Sequence, residues 1–150
     1  MNREIFFKAK RKDNGEWVEG YLFDDGMPKP KRYFIGGIIV KPYEGTACDK
    51  WNIVGIDFFE IDIDTLCQYT GLTDKNGKKI FEGDVVKYVD VCGEVKFGLH
   101  ESTWQINKYN QGFFVTFPKE YSLRSELGFW RNKIVVIGNI FDNADLLEVE

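Results

Sequence analysis

Short runs of apolar residues recur along the chain, separated by turn signals that contain glycine. The first two runs, residues 5–11 and 16–23, flank Asp13-Asn14-Gly15, and this arrangement predicts an N-terminal hairpin. Isoleucine and valine together number 25, whereas alanine and leucine together number 11. Because β-branched and aromatic residues favour strands, the sequence predicts a mainly β fold with little helix.

Two later turn signals each predict a hairpin. Gly36-Gly37 separates residues 33–35 from residues 38–40, and Cys92-Gly93 follows the strand expected at residues 84–91. A bend followed by a two-strand meander is what a small barrel requires. We therefore expect antiparallel hairpins in a bent sheet that forms a pseudo-barrel, with an SH3-like roll in the C-terminal half. Further strands are expected at residues 94–98, 113–117 and 133–138.

The stretch from Gln68 to Val86 contains three turn signals between short apolar runs. Asn76-Gly77 is typical of type I′ hairpins, because both residues tolerate positive φ. Glu82-Gly83-Asp84 predicts a second turn, in which the Asp84 side chain bonds nearby backbone amides, and Gly71 marks a third bend. Turn chemistry accounts for these residues, and the alternative is that the loops form a recognition edge.

Three motifs of this stretch are Tyr69-Thr70-Gly71-Leu72, Asp74-Lys75-Asn76-Gly77 and Glu82-Gly83-Asp84-Val85-Val86. They resemble the signature of the YopX family, small proteins encoded by bacteriophages and prophages. The resemblance extends to the G-x-W-V-x-G pattern at residues 15–20 and to the closing pattern G-N-I-[YF]-x-N-x-x-L-L at residues 138–147. The motif residues that we single out as turn residues are Gln68, Tyr69, Gly71, Leu72, Asn76, Gly77, Glu82, Gly83 and Asp84.

The resemblance implies a YopX-like β fold and an accessory protein of a phage or prophage, in a family with no established biochemical activity. The closing pattern predicts a strand that runs into one helical turn. Asp142 or Asn143 would cap that turn, and Leu146 and Leu147 would fold back on the core.

The length of 150 residues predicts one domain, with an N-terminal hairpin lobe at about residues 1–66 and a C-terminal roll at about residues 67–150. No apolar run approaches the length of a membrane span, so we expect a cytoplasmic protein of the bacterial host. Cys48, Cys67 and Cys92 lie far apart without a C-x-x-C pair, which predicts reduced thiols rather than a disulfide framework.

Residues 60–64 alternate acidic residues with isoleucine, which predicts a strand with Glu60, Asp62 and Asp64 on one face. Such a row of carboxylates raises the hypothesis of a metal site. Successive residues on one face of a strand lie too far apart to close a coordination shell, so the sequence favours a solvated outer face and no metal.

Candidate catalytic residues are scarce. His100 is the single histidine, without a second histidine or a paired cysteine for zinc, and we expect it in a surface loop. Neither G-x-G-x-x-G nor G-x-x-x-x-G-K occurs. We therefore expect a protein that is not an enzyme and has no cofactor.

Two function classes remain open. The first is an interaction or self-assembly module that binds a copy of itself or a host or phage protein. The second is a nucleic-acid-binding module of the SH3 or KOW type, suggested by the cluster Lys29-Pro30-Lys31-Arg32 and by the aromatic and basic residues at 104–109. A net charge of -4 opposes the second class, so specific nucleic-acid binding is not expected.

Open strand edges and the aromatic content predict a homo-oligomer. Several short hairpins leave unpaired edges, and four Trp, seven Tyr and thirteen Phe are many for one small core. The alternative is a monomer whose edges close into a pseudo-barrel. The candidate contact, where apolar residues lie among polar ones, consists of Tyr121, Leu123, Leu127, Phe129 and Trp130. Trp130→Glu is expected to dissociate the assembly.

Overall fold

The computed structural model describes residues 4–42, 51–102, 105–121 and 123–148, with the backbone alone at 39–42 and 51–54. Strands hold 52% of the described residues and helices hold 11%, so the prediction of a mainly β, antiparallel fold with little helix is confirmed. The described strands form bent sheets and no closed barrel. The chain divides into two compact units, Ile5–Leu66 and the part that begins at Cys67.

The N-terminal unit contains four strands, β1 (Phe7–Lys10), β2 (Trp17–Asp24), β3 (Tyr33–Pro42) and β4 (Trp51–Glu60). They lie antiparallel to one another in the order β4-β3-β2-β1. The predicted N-terminal hairpin is confirmed: Phe7 pairs with Gly20 and Lys10 with Trp17, and Gly15 turns the chain with a φ of +72°.

The core of this unit lies on one face of the sheet. Ala9, Ile35 and Ile61 are almost fully buried there. Half-buried apolar side chains surround them, as the alternation of inward and outward positions along a strand requires. These side chains are Phe7, Val18, Leu22, Tyr33 and Leu66.

The hairpin predicted at Gly36-Gly37 is wrong. β3 continues through both glycines, and Gly36 pairs with Tyr21 on one side and with Phe58 on the other. A Cβ at Gly36 would lie 2.0 Å from the carbonyl oxygen of Asp57, so glycine is required here because a neighbouring backbone approaches closely. The glycine pair therefore marks strand packing rather than a turn.

The strand predicted at residues 60–64 is also wrong. β4 ends at Glu60, and a turn of 3-10 helix follows at Ile63–Thr65. The carboxylate of Asp62 accepts a hydrogen bond from the Asp64 amide at 3.1 Å and so caps that turn. Because Asp and Asn side chains bond the backbone two residues on, the local turn overrides the alternating pattern.

The C-terminal unit contains the strands β5 (Cys67–Thr73), β6 (Lys79–Phe81), β7 (Asp84–Tyr88), β8 (Val91–Glu101), β9 (Tyr109–Thr116) and β10 (Val135–Asn139). Four of them form an antiparallel sheet in the order β10-β7-β8-β9, and β5 pairs antiparallel with β6. One short helix, α1 (Leu127–Trp130), and turns of 3-10 helix at Lys119–Tyr121 and Ala144–Leu147 join them.

The hairpin of β7 and β8 turns earlier than predicted. Tyr88 pairs with Val91, so Val89 and Asp90 form a two-residue loop and Gly93 lies within β8. Val89 has a φ of +53°, an unfavourable conformation for a β-branched residue. A Cβ at Gly93 would lie 2.7 Å from the Val115 side chain, so this glycine allows close packing on β9.

Candidate interaction surface

Residues of the central motifs hold the backbone of the C-terminal unit, and Asp74, which was not among the residues singled out as turn residues, is central to this role. Its side chain is 4% exposed. One carboxylate oxygen accepts hydrogen bonds from the amides of Asn76 at 2.8 Å and Lys78 at 2.9 Å. The other accepts from the amide of Val136 at 3.0 Å, which links the turn to the distant strand β10.

The turn at residues 74–78 differs from the predicted type I′ turn. Asp74 and Lys78 flank a three-residue loop, with a hydrogen bond of 2.8 Å from the Asp74 amide to the Lys78 carbonyl. The Gly77 amide also donates to the Asp74 carbonyl at 3.0 Å, and Gly77, but not Asn76, has a positive φ. This geometry is that of a type I turn followed by a left-handed glycine.

Gly77→Val is expected to lower the free energy of unfolding by about 1–3 kcal/mol, because valine resists a φ of +82°. No atom lies within 4 Å of a Cβ at this position, so the cost arises from the backbone alone. Gly128→Ala in α1 is the matched control, since that site is equally open and has no positive φ. Chemical denaturation measures both, and an unchanged midpoint for Gly77→Val would contradict the assignment.

The other motif residues make similar contacts. Asp84 is 1% exposed and accepts a hydrogen bond from the Phe81 amide at 2.8 Å, which confirms the predicted turn at Glu82-Gly83-Asp84. The hydroxyl of Thr70 donates to the Ile80 carbonyl at 2.8 Å. Tyr69 is buried against Phe81, with ring centroids 5.6 Å apart. The Gln68 carbonyl accepts a hydrogen bond from the Glu82 amide. Gly71 has a φ of +85°, and Leu72 is half-buried against the core.

The closing motif is held by two asparagines. The Asn143 side chain accepts a hydrogen bond from the Asn139 amide at 3.2 Å, and the Asn143 amide donates to the Asn139 carbonyl at 2.8 Å. A Cβ at Gly138 would lie 2.4 Å from the Asn143 side chain. The predicted cap is wrong: the side chain of Asn143 bonds back to β10 instead of capping Ala144–Leu147. Leu146 is exposed, contrary to prediction.

The predicted contact segment is divided between core and surface. Leu127 and Trp130 are each 2% exposed within a single chain and belong to the core of the C-terminal unit. Leu123 and Phe129 are half-buried against that core, and Tyr121 is exposed. Leu127 and Trp130 are therefore unavailable as surface contacts, and this part of the prediction is wrong.

His100 lies in β8 rather than in the predicted loop. Its ring stacks on Phe114 with centroids 4.4 Å apart and planes at 24°. A groove of about 470 Å³ beside this pair is also lined by Glu101, Lys119 and Ser125. Sequence reasoning missed the stacking, because His100 and Phe114 lie on different strands, β8 and β9, that only folding brings together.

Several other sequence candidates have plain structural roles. Cys67 is buried and Cys92 is half-buried, whereas Cys48 and Trp104 lie outside the described residues. Of the basic cluster, Arg32 and Lys31 form ion pairs with Glu60 and Asp24. Within residues 4–42, 51–102, 105–121 and 123–148, no group of three or more His, Cys, Asp or Glu could hold a metal ion. Helices of the described ranges are too short or too polar to cross a bilayer.

An exposed aromatic face is the most prominent surface feature of the N-terminal unit. Phe23, Phe34 and Phe58, on three adjacent strands, form a triangle of rings with centroid separations of 5.4 to 6.1 Å. Ile38 and Ile56 pair directly across β3 and β4 beside them. We call this surface the aromatic face; it consists of Tyr21, Phe23, Phe34, Ile38, Ile56 and Phe58.

The side chains of this face remain open to solvent. Tyr21, Ile38 and Ile56 are 58%, 59% and 62% exposed, and Phe58 is 48% exposed. With Phe23, these side chains expose on the order of 500 Å² of apolar surface. This area is at the upper end of what single-chain soluble proteins expose in one patch.

Ion pairs lie beside the aromatic face. The guanidinium of Arg32 donates to both carboxylate oxygens of Glu60, at 3.2 and 2.9 Å, and its Cζ lies 5.3 Å from the centre of the Phe34 ring. The hydrogen bonds from Arg32 lower the pKa of Glu60 despite the opposing effect of partial burial. The face is therefore apolar at its centre, with paired charges at one end.

Sequence reasoning missed the aromatic face, although a signal for it was present. In an antiparallel sheet with one solvated face, apolar residues alternate with polar ones. Tyr21-Leu22-Phe23 in β2 and Phe58-Phe59 in β4 are instead apolar at consecutive positions. Consecutive apolar residues in a strand predict apolar side chains on both faces of the sheet.

Comparison with known proteins agrees with the fold. The family model described as YopX protein matches residues 6–148. A crystal structure of protein EF1440 from Enterococcus faecalis is similar over 98% of this chain and 100% of that chain, with 23% sequence identity and a TM-score of 0.53. No curated protein matches the sequence. Because the family model spans nearly the whole chain, the protein belongs to the YopX family.

Proposed function

We propose that the protein is a non-catalytic interaction module that assembles with a second copy of itself through the aromatic face. The observation that carries this proposal is the ring triangle of Phe23, Phe34 and Phe58 in a surface that remains exposed in one chain. Two such sheets can pack face to face, as the sheets of a β-sandwich do.

The size of the aromatic face supports a protein partner. An ordinary protein interface covers about 800 Å² on each partner. The exposed apolar side chains supply on the order of 500 Å² of that area, and the surrounding polar residues can supply the rest as a rim. Aromatic residues are enriched in interface cores, and three of the six residues of the face are phenylalanine.

The charges around the face favour a copy of the chain over nucleic acid. Lys8 and Lys10 lie beside Trp17, at 5.1 and 5.5 Å from the centre of its ring, and the exposed Glu19 pairs directly across from Lys8. Arg32 is bound to Glu60 at the other end of the face. Both signs of charge are present, whereas a phosphate backbone selects a surface of one sign.

The family supports a role as an accessory protein of a phage or prophage, acting in the cytoplasm of the bacterial host. An interaction module needs no catalytic centre for such a role. Capture experiments can identify a host or phage protein that binds the assembly. Self-association can be tested with the purified chain.

Light scattering coupled to size-exclusion chromatography tests the proposal with the full chain and a Tyr21→Glu variant. We expect the wild-type mass to be a multiple of 17.5 kDa and Tyr21→Glu to reduce it while the chain stays folded, because a charge at a desolvated interface is costly. Leu99→Glu is the matched control, since Leu99 is also apolar and 69% exposed but lies in β8. A wild-type mass of 17.5 kDa at every concentration would refute the proposal.

A further inference from the structure

β4 is the last strand of the N-terminal sheet, so one of its edges has no strand beside it among the described residues. The direction of its backbone groups follows from two hydrogen bonds. The Ile61 amide donates to the Tyr33 carbonyl of β3 at 3.0 Å, and the Glu60 carbonyl accepts from the Lys12 amide on the opposite side at 3.0 Å. Because these directions alternate along a strand, the amide and carbonyl groups of Ile56 and Phe58 point away from β3, as those of Glu60 do.

The same two residues contribute exposed apolar side chains to the aromatic face. Ile56 is 62% exposed and Phe58 is 48% exposed. Ile56 and Phe58 therefore combine backbone groups that point away from β3 with apolar side chains that are exposed on the aromatic face. Edge strands are commonly protected by proline, by a bulge or by charge. Residues 56–59 pair regularly with β3, and Asp57 is the one charged residue among these four.

We propose that β4 pairs antiparallel with β4 of a second copy around a two-fold axis at Asp57, with Ile56 of each chain opposite Phe58 of the other. This edge pairing rests on the proposed function, because it adds a second self-contact to the face-to-face contact. The two contacts together produce a closed assembly of four copies, a common symmetric arrangement.

The register follows from the ends of the open segment. Towards the N-terminus the pairing of β3 with β4 is irregular between Ile39 and Val40, which lie opposite Gly55 and Ile53. Towards the C-terminus the Glu60 carbonyl is already bonded to Lys12. A two-fold axis at Asp57 places the new backbone hydrogen bonds within the regular stretch between these ends. It gives four backbone hydrogen bonds, because Ile56 and Phe58 of the two chains exchange both of theirs.

A second copy fits this edge because it supplies both matching elements, an open strand of the same length and the same two apolar side chains. Joining two edges also places two aromatic faces side by side, on the order of 1,000 Å² of exposed apolar surface. An exposed apolar surface of that size marks an interaction site. A second edge-paired dimer, stacked face to face, buries this surface.

The pairing places Asp57 of one chain opposite Asp57 of the other. Like charges directly across an antiparallel pair weaken it. Asp57→Asn is therefore expected to tighten the edge contact, with a dissociation constant about fivefold lower. A weaker edge contact in Asp57→Asn would overturn the proposed register.

Cysteine cross-linking tests the register directly, in full-length chain with Cys48 and Cys92 replaced by serine. Directly opposed Cα atoms lie about 4.5 to 5.5 Å apart, within reach of a disulfide. Asp57→Cys is expected to form a cross-linked dimer under mild oxidation. Ile56→Cys is the matched control, because the two copies of residue 56 are offset along the strands and lie beyond about 7 Å. Cross-linking at position 56 but not at position 57 would overturn the register.

Masses in solution separate this inference from the proposed function. The wild-type chain is expected to reach four times 17.5 kDa, and Ile56→Pro is expected to reduce it to a face-to-face dimer. Proline removes the outward amide of Ile56 without removing a bond to β3. Ile56→Thr keeps the amide and is expected to retain the larger assembly. A wild-type dimer that Tyr21→Glu dissociates and Ile56→Pro leaves intact would refute edge pairing and leave the proposed function standing.

Discussion

Trp130→Ala is expected to lower the free energy of unfolding by about 3–5 kcal/mol, the usual range for removal of a buried tryptophan. Its indole is 2% exposed and packs against Tyr88, Phe117 and Phe129, with ring centroids 4.8 to 5.2 Å apart. Its N–H also donates to the Arg124 carbonyl at 2.7 Å. The substitution therefore leaves both a cavity and an acceptor without its donor.

The matched control for Trp130→Ala is Tyr121→Ala, in the same segment but 51% exposed. Chemical denaturation is expected to show a change of less than about 0.5 kcal/mol for the control. Trp130→Glu should unfold the C-terminal unit rather than yield folded monomers. Folded monomers of Trp130→Glu with wild-type stability would contradict the burial of this residue and restore the contact segment predicted from sequence.

Asp74→Ala is expected to lower the free energy of unfolding by about 3–5 kcal/mol, because each buried donor left without its acceptor costs about 1–3 kcal/mol. Three backbone amides lose their acceptor, those of Asn76, Lys78 and Val136. Asp74→Asn is expected to recover only part of the loss. An amide group has one oxygen, so its NH₂ group would face one of the three donors.

Acid should reduce the contribution of Asp74. Burial alone raises the pKa of this carboxyl, but the amides of Val136, Lys78 and Asn76 outweigh burial, and the pKa lies below its ordinary value. A lowered folded pKa stabilises the fold above the unfolded pKa of about 3.9, and this stabilisation is lost as the pH falls through the folded pKa. The difference in stability between wild type and Asp74→Asn should therefore shrink on acidification.

Denaturation curves at several pH values measure both effects of Asp74. Asp24→Asn is the control, because Asp24 also accepts a backbone hydrogen bond, from Gly26 at 2.8 Å, but is exposed to solvent. Its replacement should cost less than about 1 kcal/mol. An Asp74→Asn variant as stable as wild type at neutral pH would show that the carboxylate does not hold these amides.

Local chemistry made several features predictable. Gly15, Gly77 and Gly83 were recognisable as turn residues from their immediate neighbours, and all three have a positive φ. The first hairpin and the strand β7, which begins at Asp84, were also predictable from their immediate neighbours. Turns of this kind depend on a few adjacent residues, so the sequence contains the whole cause.

Other glycines could not be interpreted locally. Gly36 and Gly93 look like turn residues in the sequence, but each lies within a strand. Glycine is required at both positions because a backbone or side chain distant in sequence leaves no room for a Cβ. Asp74 was recognisable as part of a turn motif, whereas its bond to Val136, 62 positions away, was not. Close approach between distant segments is created by folding and has no local signal.

The sequence by itself determined the family, the mainly β composition and the turn chemistry of the central stretch, because these depend on motifs and local preference. Only the tertiary structure decided which aromatic residues are core and which are surface. Trp130 is enclosed by strands and turns distant in sequence, whereas Phe58 lies in the edge strand of a sheet and remains open. Both are large apolar side chains, and burial depends on which segments pack over them rather than on residue type.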